Sequence, residues 1–255
     1  MEITKELKLA VLIDADNVPS SNVKGMLEEI SKYGTPTFKR IYGDWTKPHL
    51  SGWKNVLLEN AITPVQQYSY TTGKNSSDSA LIIDAMDILY TGGVEGFCIV
   101  SSDSDFTRLA TRLREAGMKV FGIGERKTPS AFIASCNKFI YIEILKEQDE
   151  AKEKPANTRS RSGKRPKKES ADQNKTDRYL SNLISACIND IAEEEDGWVF
   201  LGVLGNLILK RQPDFDPRNY GFKKLIDLIK SIPDLEVDEI QTGKNNITHY
   251  YVRTR

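Results

Sequence analysis

The chain has 255 residues, 39% of them hydrophobic and 9% aromatic, which is enough for one large or two ordinary folded domains. Lysine plus arginine and aspartate plus glutamate number 36 each, so the net charge indicates no partner. The opening segment lacks the apolar core of a signal peptide, and nowhere do about 18 apolar residues run together. We therefore expect a cytoplasmic protein that is neither secreted nor in a membrane.

The cysteines and histidines are too scattered to form a metal site of their own. The three cysteines share no C-x-x-C spacing, which argues against a disulfide framework or a cysteine zinc site. The two histidines, His49 and His249, lie in different halves of the chain and leave no obvious histidine general base. Any metal ion should therefore be bound by oxygen ligands.

The first element is an apolar strand that ends in an acidic segment. Residues 9–17 read LAVLIDADN, five apolar residues followed by a segment with Asp14, Asp16 and Asn17. An unbroken apolar strand is typical of the centre of a parallel α/β sheet, and ligands bind such sheets just beyond the carboxyl ends of the strands. We call this edge of the sheet the rim. The pattern predicts Asp14 at the rim, with Asn17 placed to orient a ligand or a water molecule.

Strands and helices then alternate up to about residue 145. Apolar runs predict further strands at residues 37–42, 62–67, 96–100, 119–123 and 139–145. Helical spacing predicts helices at residues 22–33, 47–60, 78–89, 106–116 and 130–136. Gly34 and Gly117 are expected to end two of these helices. The alternation favours an α/β domain with a largely parallel sheet of five or six strands.

The helix predicted at residues 78–89 carries an aspartate on its apolar side. At roughly 100° per residue its apolar residues form one stripe, and Asp78 lies near the centre of that stripe, one turn earlier. A crossover helix runs antiparallel to the strands, so its first turn lies at the rim. We therefore expect Asp78 to face the sheet beside Asp14, whereas Asp84 lies on the flank and Asp87 points away.

Four aspartates, Asp14, Asp78, Asp103 and Asp105, are expected to share the rim, because the last two directly follow the strand at residues 96–100. Like charges so placed repel unless a cation neutralises them. Carboxylates without cysteine or histidine suit Mg²⁺ or Mn²⁺, ions that activate water for phosphodiester hydrolysis. The alternative is that these aspartates are helix caps, first-turn residues or loop residues.

The second half of the chain predicts a linker and a smaller domain. Residues 146–175 lack periodicity and include the basic stretch TRSRSGKRPKK, which is typical of a flexible linker. Residues 176–255 contain three apolar stripes with helical spacing, then two alternating segments across a Thr-Gly-Lys-Asn-Asn turn. Three helices and a hairpin predict a winged-helix α+β domain.

Basic residues in both halves are candidates for contacts to phosphate. Lys74, Arg126 and Lys127 lie in loops predicted at the rim. In the second domain the candidates end one helix or surround the start of the next: Lys210, Arg211, Arg218, Lys223 and Lys224. The alternative in each case is a solvated surface charge.

Four stretches in the first domain resemble the NYN domain, a PIN-like nuclease domain common in bacterial proteins. They are LIDADN at residues 12–17, NSSDSALIIDAMD at 75–87, VSSDSDF at 100–106 and GIGERKTPSAFIASCNKFIYIE at 122–143. The resemblance covers residues 7–145 and implies a Rossmann-like three-layer α/β/α fold with neighbouring strands one and four. It also implies metal-dependent ribonuclease activity, with acidic ligands that match Asp14, Asp78, Asp103 and Asp105. Asn17 matches the family's polar residue after the first strand.

Residues 196–229, DGWVFLGVLGNLILKRQPDFDPRNYGFKKLIDLI, are similar to the LOTUS or OST-HTH module. This resemblance implies a winged helix that binds RNA or docks a protein partner. The expected organisation is thus a nuclease domain at residues 1–145, a basic linker at 146–175 and a LOTUS domain at 176–255.

Three functions compete at this point. The leading interpretation is a Mg²⁺- or Mn²⁺-dependent endoribonuclease whose second domain holds RNA. A HAD-like phosphatase would use Asp14 as a covalent nucleophile, but no persuasive lysine precedes VSSDSDF and no cap insertion follows Asn17. The third is a non-catalytic RNA-binding or protein-docking adaptor, because a fold does not fix a function.

Overall fold

The computed structural model describes residues 6–68, 76–145, 170–192, 197–242 and 247–255. These residues separate into two compact units, which we call the first unit (described residues up to 145) and the second unit (described residues from 170). The apolar clusters of the first unit contain only its own residues, and the cluster of the second unit spans residues 180–252. Each unit therefore has a core of its own.

The first unit is organised around a six-stranded sheet. Its strands are β1 (Lys8–Asp14), β2 (Thr35–Gly43), β3 (Thr63–Gln66), β4 (Gly96–Val100), β5 (Lys119–Gly124) and β6 (Lys138–Tyr141). The order is β3-β2-β1-β4-β5-β6, and every neighbouring pair is parallel. The predicted parallel α/β sheet is confirmed, including the pairing of the first and fourth strands.

Helices cover both faces of this sheet. They are α1 (Val23–Ile30), α2 (Trp53–Glu59), α3 (Ser76–Thr91), α4 (Thr107–Glu115) and α5 (Ser130–Ser135). Alternate residues of β1 enter different cores: Val11 packs in the cluster that contains α1 and α2, and Leu12 in the cluster that contains α3, α4 and α5. Burial on both faces explains why β1 is an unbroken apolar run, and the three-layer α/β/α fold follows.

The strand predicted at residues 139–145 is wrong in its second half. The chain leaves β6 after Tyr141, and residues 142–145 are helical. Ile142, Ile144 and Leu145 are all buried. A short apolar run cannot be assigned to a strand or a helix by periodicity alone, because burial on all sides is compatible with either.

The two glycines expected to end helices have different roles. Gly117 follows α4 in the left-handed conformation with φ of 83°, as predicted for a helix end. Gly34 comes four residues after the end of α1, and a Cβ at this position would lie 2.3 Å from the carbonyl oxygen of Leu7. Gly34 therefore permits a close backbone approach at the start of β2 rather than a helix cap.

The second unit combines three helices with a small antiparallel sheet. Its elements are α6 (Ser170–Ile191), β7 (Val199–Phe200), α7 (Leu201–Arg211), α8 (Leu225–Lys230), β8 (Leu235–Thr242) and β9 (Ile247–Thr254). The strand order is β7-β9-β8. This arrangement agrees with the predicted winged helix. Helix α6 begins inside the predicted linker, and residues 146–169 of that linker lie outside the described residues.

All three cysteines are free thiols in the interior of their units. Cys98 and Cys136 are each 1% exposed in the first unit, and Cys187 is fully buried in the second. Burial raises the pKa of Cys136 to about 12 and also raises the pKa of Cys98.

None of the helices in the described part of the chain is long and apolar enough to cross a membrane.

Candidate metal centre

The sheet topology brings acidic residues from three elements to the rim. Strand β1 ends at Asp14, and its parallel neighbour β4 ends at Val100, directly before the segment that contains Asp103 and Asp105. Helix α3 begins at Ser76, so Asp78 lies in its first turn. Parallel strands end on the same edge, which explains how residues so distant in sequence become neighbours.

Asp78, Asp103 and Asp105 form a compact carboxylate cluster. One carboxylate oxygen from each residue can be chosen so that all three oxygens lie within 4.8 Å of one another. Asp103 also caps the short 3-10 turn at Ser104–Phe106, because its Oδ1 accepts a hydrogen bond from the backbone N–H of Asp105 at 2.9 Å. Helix capping was the alternative to a metal-binding role for these aspartates. Asp103 therefore acts as a cap and is also a member of the carboxylate cluster.

Asp78 is the aspartate most affected by its surroundings. It is 9% exposed, and burial together with neighbouring charges raises its pKa to about 7. Burial is the largest cause, followed by the charges of Asp14, Asp103, Asp105 and then Asp16. A carboxyl group with this environment favours either a proton or a cation at neutral pH.

Asp14 lies near enough for its charge to act on Asp78, and its carboxylate accepts three hydrogen bonds. Its Oδ2 accepts from Nδ2 of Asn17 at 2.5 Å and from Oγ of Ser101 at 2.9 Å, and its Oδ1 accepts from the backbone N–H of Asp16 at 3.1 Å. The residue is only 1% exposed, and burial raises its pKa. Because a carboxylate has about four lone-pair positions, these bonds leave about one for another ligand.

Ser101 is a site residue that the sequence reasoning missed. It is fully buried, donates to Asp14 and accepts a hydrogen bond from the backbone N–H of Asp103 at 3.1 Å. One hydroxyl group thus links the end of β1 to the loop after β4. The available signal was a small polar residue at the end of a wholly apolar strand.

His49, Asp16 and Ser77 form a second missed group at the rim. Nε2 of His49 lies 3.2 Å from Oδ1 of Asp16, and Oγ of Ser77 donates to Oδ2 of Asp16 at 3.3 Å. The loop after β2 therefore places His49 in contact with Asp16, which follows Asp14 by two positions in the sequence. Sequence spacing gave no hint of this contact, but the loop follows a strand that also ends at the rim.

The other two acidic residues of α3 are turned away from the cluster. Asp84 pairs with the guanidinium group of Arg40 and accepts a hydrogen bond from the hydroxyl group of Tyr42. Asp87 is exposed. The predicted orientation of α3 is confirmed, because Asp78 is buried near the rim while Asp87 faces solvent.

The three basic candidates of the first unit have different situations. Lys74 lies outside the described residues. Lys127 is exposed and forms an ion pair with Glu125 at 2.6 Å. The guanidinium carbon of Arg126 lies 5.5 Å from the centre of the Tyr141 ring.

The basic candidates of the second unit divide into paired and exposed residues. Arg211 forms an ion pair with Asp190, and Arg218 donates to the carboxylate of Asp216 from Nε at 2.9 Å and from one terminal nitrogen at 2.7 Å. These contacts explain both arginines as parts of the folded unit. Three lysines remain exposed on this surface: Lys210, Lys223 and Lys224.

Comparison with known families agrees with this fold. Residues 8–143 match the NYN domain, which is more than half of the chain, and residues 174–247 match the OST-HTH/LOTUS domain. The chain therefore belongs to the NYN domain family. NYN domains are PIN-like and nuclease-like, and OST-HTH/LOTUS domains are associated with RNA binding. No curated protein sequence matches the chain.

Solved structures from three bacteria are similar to parts of the chain. A protein of unknown function from Vibrio parahaemolyticus is 20% identical with a TM-score of 0.47, over 56% of this chain and 96% of its own. A segment of a protein from Chromobacterium violaceum is 32% identical with a TM-score of 0.25, over 30% of this chain and 79% of its own. An uncharacterised protein from Nitrosomonas europaea is 28% identical with a TM-score of 0.28, over 40% and 91%.

Proposed function

We propose that the first unit is a ribonuclease that hydrolyses RNA phosphodiester bonds with Mg²⁺ or Mn²⁺, and that the second unit helps to bind the RNA. The observation that carries this proposal is the carboxylate cluster of Asp78, Asp103 and Asp105, whose oxygens lie within 4.8 Å of one another. Nuclease domains of the PIN-like class generally use divalent metals.

The donor set fits a hard divalent cation. Three carboxylate oxygens, without sulfur or imidazole among them, match the preference of Mg²⁺ and Mn²⁺ for oxygen ligands. The raised pKa of Asp78 reflects burial and uncompensated negative charge, which a cation would relieve. Asp14 adds a further charge beside Asp78, and its remaining lone-pair position makes it a fourth candidate ligand.

Each residue of the centre has a separate role in this proposal. Asp78, Asp103 and Asp105 hold the ion, and Asn17 and Ser101 fix the orientation of the Asp14 carboxylate through hydrogen bonds of 2.5 and 2.9 Å. A bound divalent ion lowers the pKa of a water molecule and stabilises charge on phosphate oxygens. The side chain of Asp105 is exposed at the rim, where RNA would approach the bound ion.

The phosphatase alternative is disfavoured by the position of Asp14. A covalent nucleophile must reach the phosphorus atom of its substrate, yet Asp14 is 1% exposed and both its oxygens accept hydrogen bonds.

The adaptor alternative differs from the proposed nuclease only in that it does not cleave RNA. It retains RNA binding or protein docking by the second unit, for which the exposed candidates are Lys210, Lys223 and Lys224.

A substrate panel tests the proposal. Purified protein is incubated with labelled RNA, single-stranded DNA and a phosphomonoester, each with Mg²⁺, Mn²⁺ or EDTA, beside the variant Asp103→Asn. We expect RNA cleavage that needs the metal and is lost in the variant, which changes charge with little change in volume. Wild-type turnover by Asp103→Asn would reject the metal centre, and RNA binding without any cleavage would support the adaptor.

A further inference from the structure

The loop between β5 and α5 forms a tightly fixed turn next to the metal-centre candidates. The backbone N–H of Glu125 donates to Oγ of Ser102 at 2.8 Å, and Ser102 directly precedes Asp103. A Cβ at Gly124 would lie 2.6 Å from the carbonyl oxygen of Ser101, so the two loops are in close backbone contact. The turn is therefore anchored to the same loop that supplies two of the carboxylates.

The turn is also closed on itself. The carbonyl oxygen of Glu125 accepts hydrogen bonds from the backbone N–H of Thr128 at 3.0 Å and from its Oγ1 at 2.6 Å. This pattern makes Arg126 and Lys127 the two central residues of a four-residue turn. Both are exposed and project from a backbone that is already ordered. A ligand that binds them would cost little backbone entropy.

Glu143 supplies an acceptor that the fold does not use. Its Oε1 accepts a hydrogen bond from the backbone N–H of Arg126 at 3.0 Å. Its Oε2 is buried and has no hydrogen-bond partner among the described residues. A buried carboxylate oxygen without a donor is costly, so this atom calls for a donor from a water molecule or a ligand.

Arg126 and Tyr141 add a flat surface beside this acceptor. The guanidinium group lies over the Tyr141 ring at 5.5 Å. Guanidinium groups and aromatic rings are the side chains on which unpaired nucleobases stack. The same group can contact a phosphate through its outward N–H donors.

We propose that Arg126, Tyr141 and Glu143 form a nucleotide subsite for the RNA strand next to the cleaved bond, an inference that rests on the proposed function. A base stacks on the Arg126 and Tyr141 surface, and Oε2 of Glu143 accepts a hydrogen bond from the nucleotide. Opening this buried oxygen requires a side-chain shift, and the neighbouring Arg126 side chain is exposed. The donor is a ribose 2′-OH or the 2-amino group of guanine, because both are donors that a carboxylate recognises.

The test compares binding of matched oligonucleotides to the full chain in EDTA, where no metal-dependent cleavage occurs. Labelled six-nucleotide RNA, DNA of the same sequence and RNA with inosine in place of guanine distinguish the two donors. We expect wild type to lose about tenfold in affinity on one of the two changes, roughly 1.4 kcal/mol. Glu143→Gln keeps an acceptor for the backbone of Arg126 and should lose this discrimination.

Two further variants keep the result unambiguous. Glu115→Gln removes one carboxylate at the far end of α4 and should discriminate as wild type does. Arg126→Ala should weaken all three oligonucleotides by a similar factor and preserve the discrimination, because it removes the stacking surface but not the acceptor.

The outcomes separate this subsite from the nuclease activity. Wild type that binds all three oligonucleotides equally, or Glu143→Gln that still discriminates, would overturn the subsite. Discrimination that depends on Glu143 in a protein that never cleaves RNA would retain the subsite and reject the proposed hydrolysis. Cleavage with no effect of Glu143→Gln on binding would reject the subsite alone.

Discussion

At the scale of single residues, two aspartates of α3 offer a direct comparison. Asp78 is 9% exposed beside Asp103 and Asp105, whereas Asp87 lies on the solvent side of the same helix. We expect Asp78→Ala to lose Mn²⁺ binding and RNA cleavage. Asp87→Ala should change activity by less than about tenfold, roughly 1.4 kcal/mol in the barrier.

Calorimetric Mn²⁺ titration and cleavage kinetics on the two variants provide the measurement. Comparable losses in both variants, or in neither, would mean that the first turn of α3 does not contribute to the metal centre.

Asp78 should also make stability depend on pH in the absence of metal. Its pKa rises from 3.8 to about 7 on folding, so the folded chain keeps a proton that the unfolded chain releases. The contribution of this group to the free energy of unfolding is full below about pH 4 and is lost as the pH rises through about 7. We therefore expect Asp78→Asn to gain stability over wild type at pH 8 and to gain less at pH 5.

Urea unfolding of both proteins in EDTA at the two pH values measures this difference, because titrating groups that do not interact with Asp78 cancel in the comparison. An equal gain at pH 5 and pH 8 would contradict the raised pKa. Metal binding has the opposite pH dependence, since the ion competes with the proton on Asp78, so Mn²⁺ affinity should increase between pH 5 and pH 8.

Site residues could be predicted from the sequence where a local periodic pattern places them, and were missed where their position depends on loop conformation or on distant partners. Asp78 could be assigned because helix phase is a local property that the spacing of apolar residues reveals. The contact between His49 and Asp16 joins residues 33 positions apart through two loops, and loop conformation has no comparable periodic signal. Ser101 was missed because a buried serine is recognised only when its hydrogen-bond partners are known.

At the scale of elements, the loops after β4 and β5 depend on a glycine between them. A Cβ at Gly124 would lie 2.6 Å from the carbonyl oxygen of Ser101 and 2.8 Å from Oγ1 of Thr128. We expect Gly124→Ala to reduce the free energy of unfolding by about 1–3 kcal/mol, because the crowded backbone must shift.

Gly52→Ala is the matched control for this prediction. Its Cβ would meet only Oγ of Ser20 at 3.3 Å, and Gly52 already has helical backbone angles. Denaturant unfolding should show a change within about 0.5 kcal/mol for Gly52→Ala. Equal destabilisation by the two substitutions would show that the close contact at Gly124 is not what limits this position.

Elements were predictable where pattern and burial agree. Strand β4 has the predicted bounds because a compact apolar run is followed at once by polar residues. The helix at residues 142–145 was predicted as strand because its isoleucines and leucine are buried whichever structure they adopt. Gly34 was misread because its function depends on Leu7, a residue that becomes a neighbour only when β1 and β2 pair.

At the scale of the whole molecule, separate cores predict separable units. The apolar clusters of the first unit contain no residue of the second unit. We therefore expect residues 1–145 alone to fold and to retain metal-dependent hydrolysis of short RNA. Long RNA should bind this fragment less tightly than the full chain, because the second unit adds contacts by tethering.

Binding of short and long RNA to the fragment and to the full chain measures the contribution of the second unit. Circular dichroism of the fragment provides the folding control. Equal affinity of the two proteins for long RNA would assign the second unit to docking of a protein partner.

The buried thiols allow the opening of each unit to be measured by chemical labelling. Cys98 and Cys136 are sealed in the first unit and Cys187 in the second, so an alkylating reagent reaches each sulfur only when the surrounding core opens. Mass spectrometry of a labelling time course would then report two opening rates from one native sample, with no mutation or attached dye. If RNA binds at the rim, it should slow modification of Cys98 and Cys136, while contacts to the second unit should slow modification of Cys187.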